Sequence, residues 1–71
     1  MIKISDDPTA NYRFRVTVEH LRNYPDINEI HGWTNQTFIP NNWYRTGGRW
    51  GYTTFHFKHE AERIWFVLRW S

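Results

Sequence analysis

Hydrophobic and polar positions alternate from Tyr12 to Glu19, with Tyr12, Phe14, Val16 and Val18 on one side and Arg13, Arg15, Thr17 and Glu19 on the other. That two-residue period predicts a strand with one buried face. The period returns where Phe55 and Phe57 alternate with Thr54, His56 and Lys58, and there it stops. From His59 the spacing is helical: Ala61, Ile64, Trp65 and Leu68 recur at i, i+3, i+4 and i+7 and are expected to form the buried stripe of a C-terminal helix. Glu60 and Glu62 at its start and Arg69 near its end suit the helix dipole. On a helical wheel Phe66 and Trp70 fall almost opposite that stripe, with Val67 to one side, so a second apolar face is expected to look away from the core. The alternative makes Trp65 to Trp70 a final strand after a very short helix.

Between these segments, Pro25 is suited to a first helical turn after Asn23 or Tyr24, which predicts a short helix from Pro25 to about His31. Asp26 and Glu29 would sit near its N-terminus and Gly32 would end it. Ile27 and Ile30 would face the sheet with Leu21 and Trp33; the rival reading is an irregular loop from Leu21 to Gln36. Phe38-Ile39 would enter a strand that Pro40-Asn41-Asn42 interrupts and Trp43 to Thr46 resumes, as at an edge or bulge. Gly47-Gly48 predicts a tight hairpin leading into a strand from Arg49 to Lys58.

Residues 1–11, with Asp6-Asp7-Pro8 and Asn11, read as a flexible N-terminal arm, and residues 12–71 as a single α+β domain. The element order β-α-β-β-α implies a small single-layer antiparallel sheet with helices on one face. It resembles a truncated ferredoxin-like unit without its last strand, which Trp65 to Trp70 would supply under the alternative.

Composition narrows the class. A chain of 71 residues buries only roughly 60% of its unfolded surface, and five Trp, four Tyr and five Phe are the means to pack it economically. With no cysteine, disulfides and thiolate metal sites are excluded, which favours an intracellular setting. No run of about 18 apolar residues could span a bilayer and no signal peptide is visible, so a soluble, cytoplasmic protein with no membrane association is expected. A formal net charge of +2 is weak support for nucleic-acid binding, so the placement of the arginines matters more.

A hairpin about Gly47-Gly48 would set Thr46 opposite Arg49, Arg45 opposite Trp50 and Trp43 opposite Tyr52. With Phe55 and Phe57 inward, the other face would carry Trp43, Arg45, Trp50, Tyr52, Thr54 and His56, joined by Arg13 and Arg15. Rings interleaved with guanidiniums can stack bases and grip phosphates, so this face is a candidate for single-stranded nucleic acid. The plainer reading is that these groups pair across a small sheet or lie under a subunit. Gly51-Tyr-Thr-Thr-Phe-His-Phe followed by Glu60-Ala-Glu-Arg-Ile resembles the third strand and second helix of RNA recognition motifs. Gly51, Tyr52 and Phe57 match that signature and Phe55 takes its buried aliphatic place. Thr54 stands where the second stacking aromatic belongs, and Trp50 replaces the basic residue.

The ending Phe55-His-Phe-Lys with Ile64-Trp-Phe-Val-Leu-Arg-Trp-Ser71 resembles short proteins of marine tailed phages that close on Phe-x-Leu-Arg-Trp. This resemblance implies a small accessory protein made in an infected bacterial cell, with a host or phage protein as partner.

Other signals point to structure. His20, His31, His56 and His59 lack the spacing of a metal site, Asp6-Asp7 lies in the arm, and Glu60 and Glu62 serve a helix start. No nucleophile elbow, phosphate loop or His-Glu-x-x-His is present, and the Asn35-Gln36-Thr37 sequon would need a secretory route. No enzyme activity, cofactor or metal is expected. The reading is a non-enzymatic binding module that uses surplus aromatics for protein contact through Phe66, Val67 and Trp70, with a homodimer the cheapest way to cover them. The alternative is nucleic-acid binding through Arg13, Arg15, Trp43, Arg45, Trp50, Tyr52 and His56.

Overall fold

The computed structural model describes residues 2–20, 26–47 and 51–71. Four strands, β1 (Ile2–Asp6), β2 (Phe14–Glu19), β3 (Trp43–Gly47) and β4 (Tyr52–Phe57), form one sheet in the order β1-β2-β4-β3, with every neighbouring pair antiparallel. Helices α1 (Ile27–Thr37) and α2 (Glu60–Trp70) complete a small α+β protein. The expected β-α-β-β-α order is present as β2-α1-β3-β4-α2, and a further strand precedes it.

That further strand corrects the reading of residues 1–11 as a flexible arm. Ile2 pairs with Val18 and Ile4 with Val16, so Ile2 and Ile4 continue the apolar face of β2. The turn formers Asp7 to Asn11 connect two strands rather than breaking up a tail. Asp7 Oδ1 accepts from the Thr9 amide at 3.2 Å and the Thr9 hydroxyl at 2.7 Å, and the Asp7 amide donates to the Arg13 carbonyl at 2.8 Å. The two bonds from Thr9, hydroxyl then amide, with Arg15 nearby, hold the Asp7 carboxyl below its ordinary value.

β2 begins at Phe14 rather than Tyr12, whose hydroxyl donates to the Asn41 carbonyl at 2.7 Å while its ring meets Tyr44 edge-on. The alternation along β2 is as expected, since Val16 and Val18 are fully buried. Phe55 and Phe57 join them from β4, and Ile30 of α1 and Phe66 of α2 close the core from above. Phe66 touches Phe55 and Phe57 with centroids 4.9 and 5.5 Å away, and Trp33 of α1 meets both Phe66 and Trp70 of α2. Both helices therefore pack on the sheet face that carries the phenylalanines.

α1 is longer than expected and contains Gly32 instead of ending there. Asp26 caps it by accepting from the Asn28 amide at 2.9 Å; the expected start at Pro25 and the contribution of Leu21 lie outside the described residues. Gly32 costs a helix interior about 0.5–1 kcal/mol. Burial of Ile30 and Thr34 and the ring contacts of Trp33 outweigh that, and Thr34 returns its hydroxyl to the Ile30 carbonyl at 2.7 Å. Phe38 and Ile39 are not a strand: Phe38 caps α1 and is buried, and Ile39 precedes a single 3-10 turn, Pro40–Asn42.

Two further corrections decide which side chains face outward. In the hairpin, Trp43 stands opposite Phe57, Tyr44 opposite His56, Arg45 opposite Phe55 and Gly47 opposite Thr53. Trp43 had been expected opposite Tyr52, a slip of five residues, and an odd slip turns every β3 side chain to the other face. Among the described residues Gly47 (φ 89°) and Gly51 (φ 75°) have positive φ, a conformation that glycine tolerates. A Cβ on Gly47 would meet the Tyr52 carbonyl oxygen at 3.0 Å.

α2 is helical to Trp70, as the periodicity predicted and against the alternative of a final strand, but its faces are the reverse of those expected. Phe66 is fully buried and Arg63 nearly so, whereas Ile64, Trp65 and Leu68 are 51%, 57% and 77% exposed. The cause is β1. Arg63 donates to the Ser5 carbonyl at 3.1 Å, pairs with the Asp6 carboxylate and lays its guanidinium 5.1 Å from the Phe14 ring centre. An arginine that finds a counter-charge and a ring inside can turn inward, and it brings Phe66, Val67 and Trp70 with it.

Candidate functional site

The outer surface of α2 is an apolar stripe made by Ala61, Ile64, Trp65 and Leu68, all exposed. Their i, i+3, i+4, i+7 spacing gathers them on one side of the helix. Trp65 sits at one flank of the stripe, where its ring meets Phe38 edge-on with centroids 5.8 Å apart. Ile39, next along the chain and 64% exposed, extends the apolar surface. Charged groups border it: Arg69 lies over the Trp70 ring at 4.1 Å, Glu60 reaches Arg63 at 3.5 Å, and Glu62 is half-buried. An apolar patch with a charged rim is the usual anatomy of a protein contact.

The residues expected to make that contact do not form it. Phe66 is core, Val67 is half-buried against the core, and Trp70 is half-buried between Trp33 and Arg69. The stripe assigned to the core is the exposed one. The signal that could have revealed this is Arg63, which shares a face with Phe66 and Trp70 and needs an acid, and Asp6 is that acid.

The residues expected on a nucleic-acid face are divided. Arg15, Tyr52 and His56 do share the open face of the sheet, opposite the helices. Trp43 and Arg45 lie on the helix side, Trp43 buried and in contact with His31, Arg45 exposed at the sheet edge. Arg13 is 4.0 Å from Asp6 and Arg15 is 3.9 Å from Asp7, so each guanidinium has a carboxylate beside it. Trp50 lies outside the described residues.

In place of Trp43 and Arg45 the open face gains Tyr44 and Thr46. The Tyr44 ring stacks on His56 with centroids 4.2 Å apart and planes 1° from parallel, and Thr46 Oγ1 lies 2.7 Å from His56 Nε2. Thr17 and Thr54 join hydroxyls at 2.9 Å in the middle of the sheet. Burial, then the nearby Arg15, lowers the His56 pKa; burial, then Arg45, does the same for His31. At one end of this face Lys3, Thr17, Glu19 and Tyr52 line a depression of about 270 Å³, so its wall carries one basic and one acidic side chain. The centre of the open face is thus hydroxyl-lined, with Tyr44 and Tyr52 as its exposed rings.

Among the described residues no three metal-ligating side chains come together, and no helix is long and apolar enough to cross a membrane. Comparison of the chain with protein-family models, curated proteins and solved structures gave no match.

Proposed function

We propose that this chain is a small non-enzymatic binding protein that acts by protein–protein contact through the outer face of α2, with Ile39 at its margin. The observation that carries this reading is the exposure of Ile64, Trp65 and Leu68 side by side on one helix. Together with Ile39 they leave an apolar patch on the order of 500 Å², as large as those that mark interaction sites on small proteins. The likeness of the ending to short tailed-phage proteins supports an accessory role in the cytoplasm of an infected bacterium, with a host or phage protein as partner. The strand order supports a ferredoxin-like description in which β1, from the N-terminus, takes the place of the missing last strand. Single-stranded nucleic-acid binding has less support, because the open face keeps Arg15 beside Asp7 and His56 beneath Tyr44.

A photo-crosslinking residue in place of Leu68, compared with one in place of Thr54 on the open sheet face, tests the reading. A discrete protein adduct from position 68, absent from position 54 and lost on Ile64→Asp, is expected. No adduct at 68, or equal adducts at both positions, overturns it.

A further inference from the structure

Resting on the protein-contact reading above, we infer that the outer face of α2 receives α2 of a second copy of this chain, packed antiparallel about a two-fold axis. Three features of the stripe support this occupant. Its spacing is its own reverse: 61, 64, 65 and 68 read the same from either end. An antiparallel copy therefore sets Ala61 opposite Leu68 and Ile64 opposite Trp65, the smallest side chain against a long one and the branched one against the ring. A self-complementary patch is what an isologous contact requires.

The charges choose the direction. Glu62 and Arg69 are seven residues apart, so they lie on the same flank of the stripe, about 20° apart around the helix and two turns apart along it. Within one chain they are too far apart to pair. In a parallel two-fold dimer this flank would face the partner's opposite flank, so Glu62 and Arg69 would lie on different sides of the interface and could not pair. In an antiparallel two-fold dimer each Glu62 comes within about one helical turn of the other copy's Arg69, and the pair forms twice. Among the described residues the Glu62 carboxylate has no ion-pair partner, and its Oε1 is shielded from solvent with no hydrogen bond. Arg69, rooted on the same flank, lies over the Trp70 ring at 4.1 Å. The area suffices, since two patches of this size bury on the order of 1,000 Å², the lower bound for a specific interface. Weak and transient complexes sit at this small end of the size range, so a dimer with a dissociation constant on the order of micromolar or weaker is expected.

Sedimentation equilibrium on the full chain, with circular dichroism to confirm folding, tests the inference. The unaltered chain should show a monomer–dimer equilibrium, and Leu68→Asp should weaken it at least about a hundredfold. Glu62→Arg and Arg69→Glu should each weaken it by about tenfold, and the double variant should recover most of that loss. The macrodipole cost of these swaps is additive and greatest in the double variant, so recovery there can come only from contact between chains. A monomer at every concentration, a dimer indifferent to Leu68→Asp, or a double variant as weak as the product of the singles overturns the inference. A monomeric chain that still gives a crosslink from position 68 to a different protein refutes the second copy and leaves the protein-contact reading standing; no crosslink of either kind refutes both.

Discussion

Truncating Phe66 and truncating Leu68 should affect stability very unequally, although the two side chains are neighbours on one helix. Phe66 is fully buried, with ring contacts to Phe55, Phe57 and Trp33 at 4.9, 5.5 and 6.2 Å. Phe66→Ala removes those contacts and leaves a cavity, a change that costs about 3–5 kcal/mol in a well-packed core. A domain of this length has about 4–10 kcal/mol in total, so the variant should be close to unfolding. Leu68 is 77% exposed, and Leu68→Ala should change the stability of the monomer by no more than about 0.5 kcal/mol. Urea unfolding followed by far-ultraviolet circular dichroism, at concentrations low enough to keep the chain monomeric, separates the two. With a slope near 1 kcal/mol per molar urea, Phe66→Ala should lower the midpoint by about 3 M or more, and Leu68→Ala by less than about 0.5 M. An equal or larger loss for Leu68→Ala would refute the assignment of faces on α2.

Arg63 holds α2 to β1 through the Ser5 carbonyl and the Asp6 carboxylate, so Arg63→Ala and Asp6→Asn should each destabilise the fold by about 1–3 kcal/mol, measured by thermal unfolding; no change in either would remove the reason given for the turned helix. His31 and His56 both have depressed pKa values, so the unfolded chain binds protons that the folded chain resists. Stability should therefore be fully present above about pH 6.5 and fall as the pH drops below it. His56→Gln should flatten part of that fall, and stability that rises on acidification would contradict the burial of these rings. Labelled single-stranded oligonucleotides at low salt should show little change in anisotropy; steeply salt-dependent binding lost on Tyr52→Ala would move the functional site to the open sheet face.

Most of the elements were legible because their periods were strong. Val16 and Val18 in β2, Phe55 and Phe57 in β4 and the helical span of α2 follow from alternation and helical spacing. What could not be read locally was pairing. Ile2 and Ile4 become a strand only because β2 offers them an apolar edge, and the face of Trp43 and Arg45 depends on a register that pairs Trp43 with Phe57. The candidate site failed for the same reason. A wheel counts Arg63 as polar and turns it to solvent; only the distant Asp6, brought near by β1, shows that it belongs inside. The open face suffered less: Arg15, Tyr52 and His56 lie where alternation along β2 and β4 placed them, and Tyr44 was missed because its strand was in the wrong register.

Hydroxyl-radical footprinting of the intact chain, read residue by residue by mass spectrometry across a dilution series, tests the role of α2 most directly. In dilute solution Trp65 and Leu68 should be oxidised far faster than Phe66 and Phe55, and as the concentration rises Trp65 and Leu68, with Ile64 beside them, should become protected. Faster oxidation of Phe66 than of Leu68 would contradict the orientation of the helix, and labelling of Trp65 and Leu68 that stays constant with concentration would contradict its pairing with a second copy.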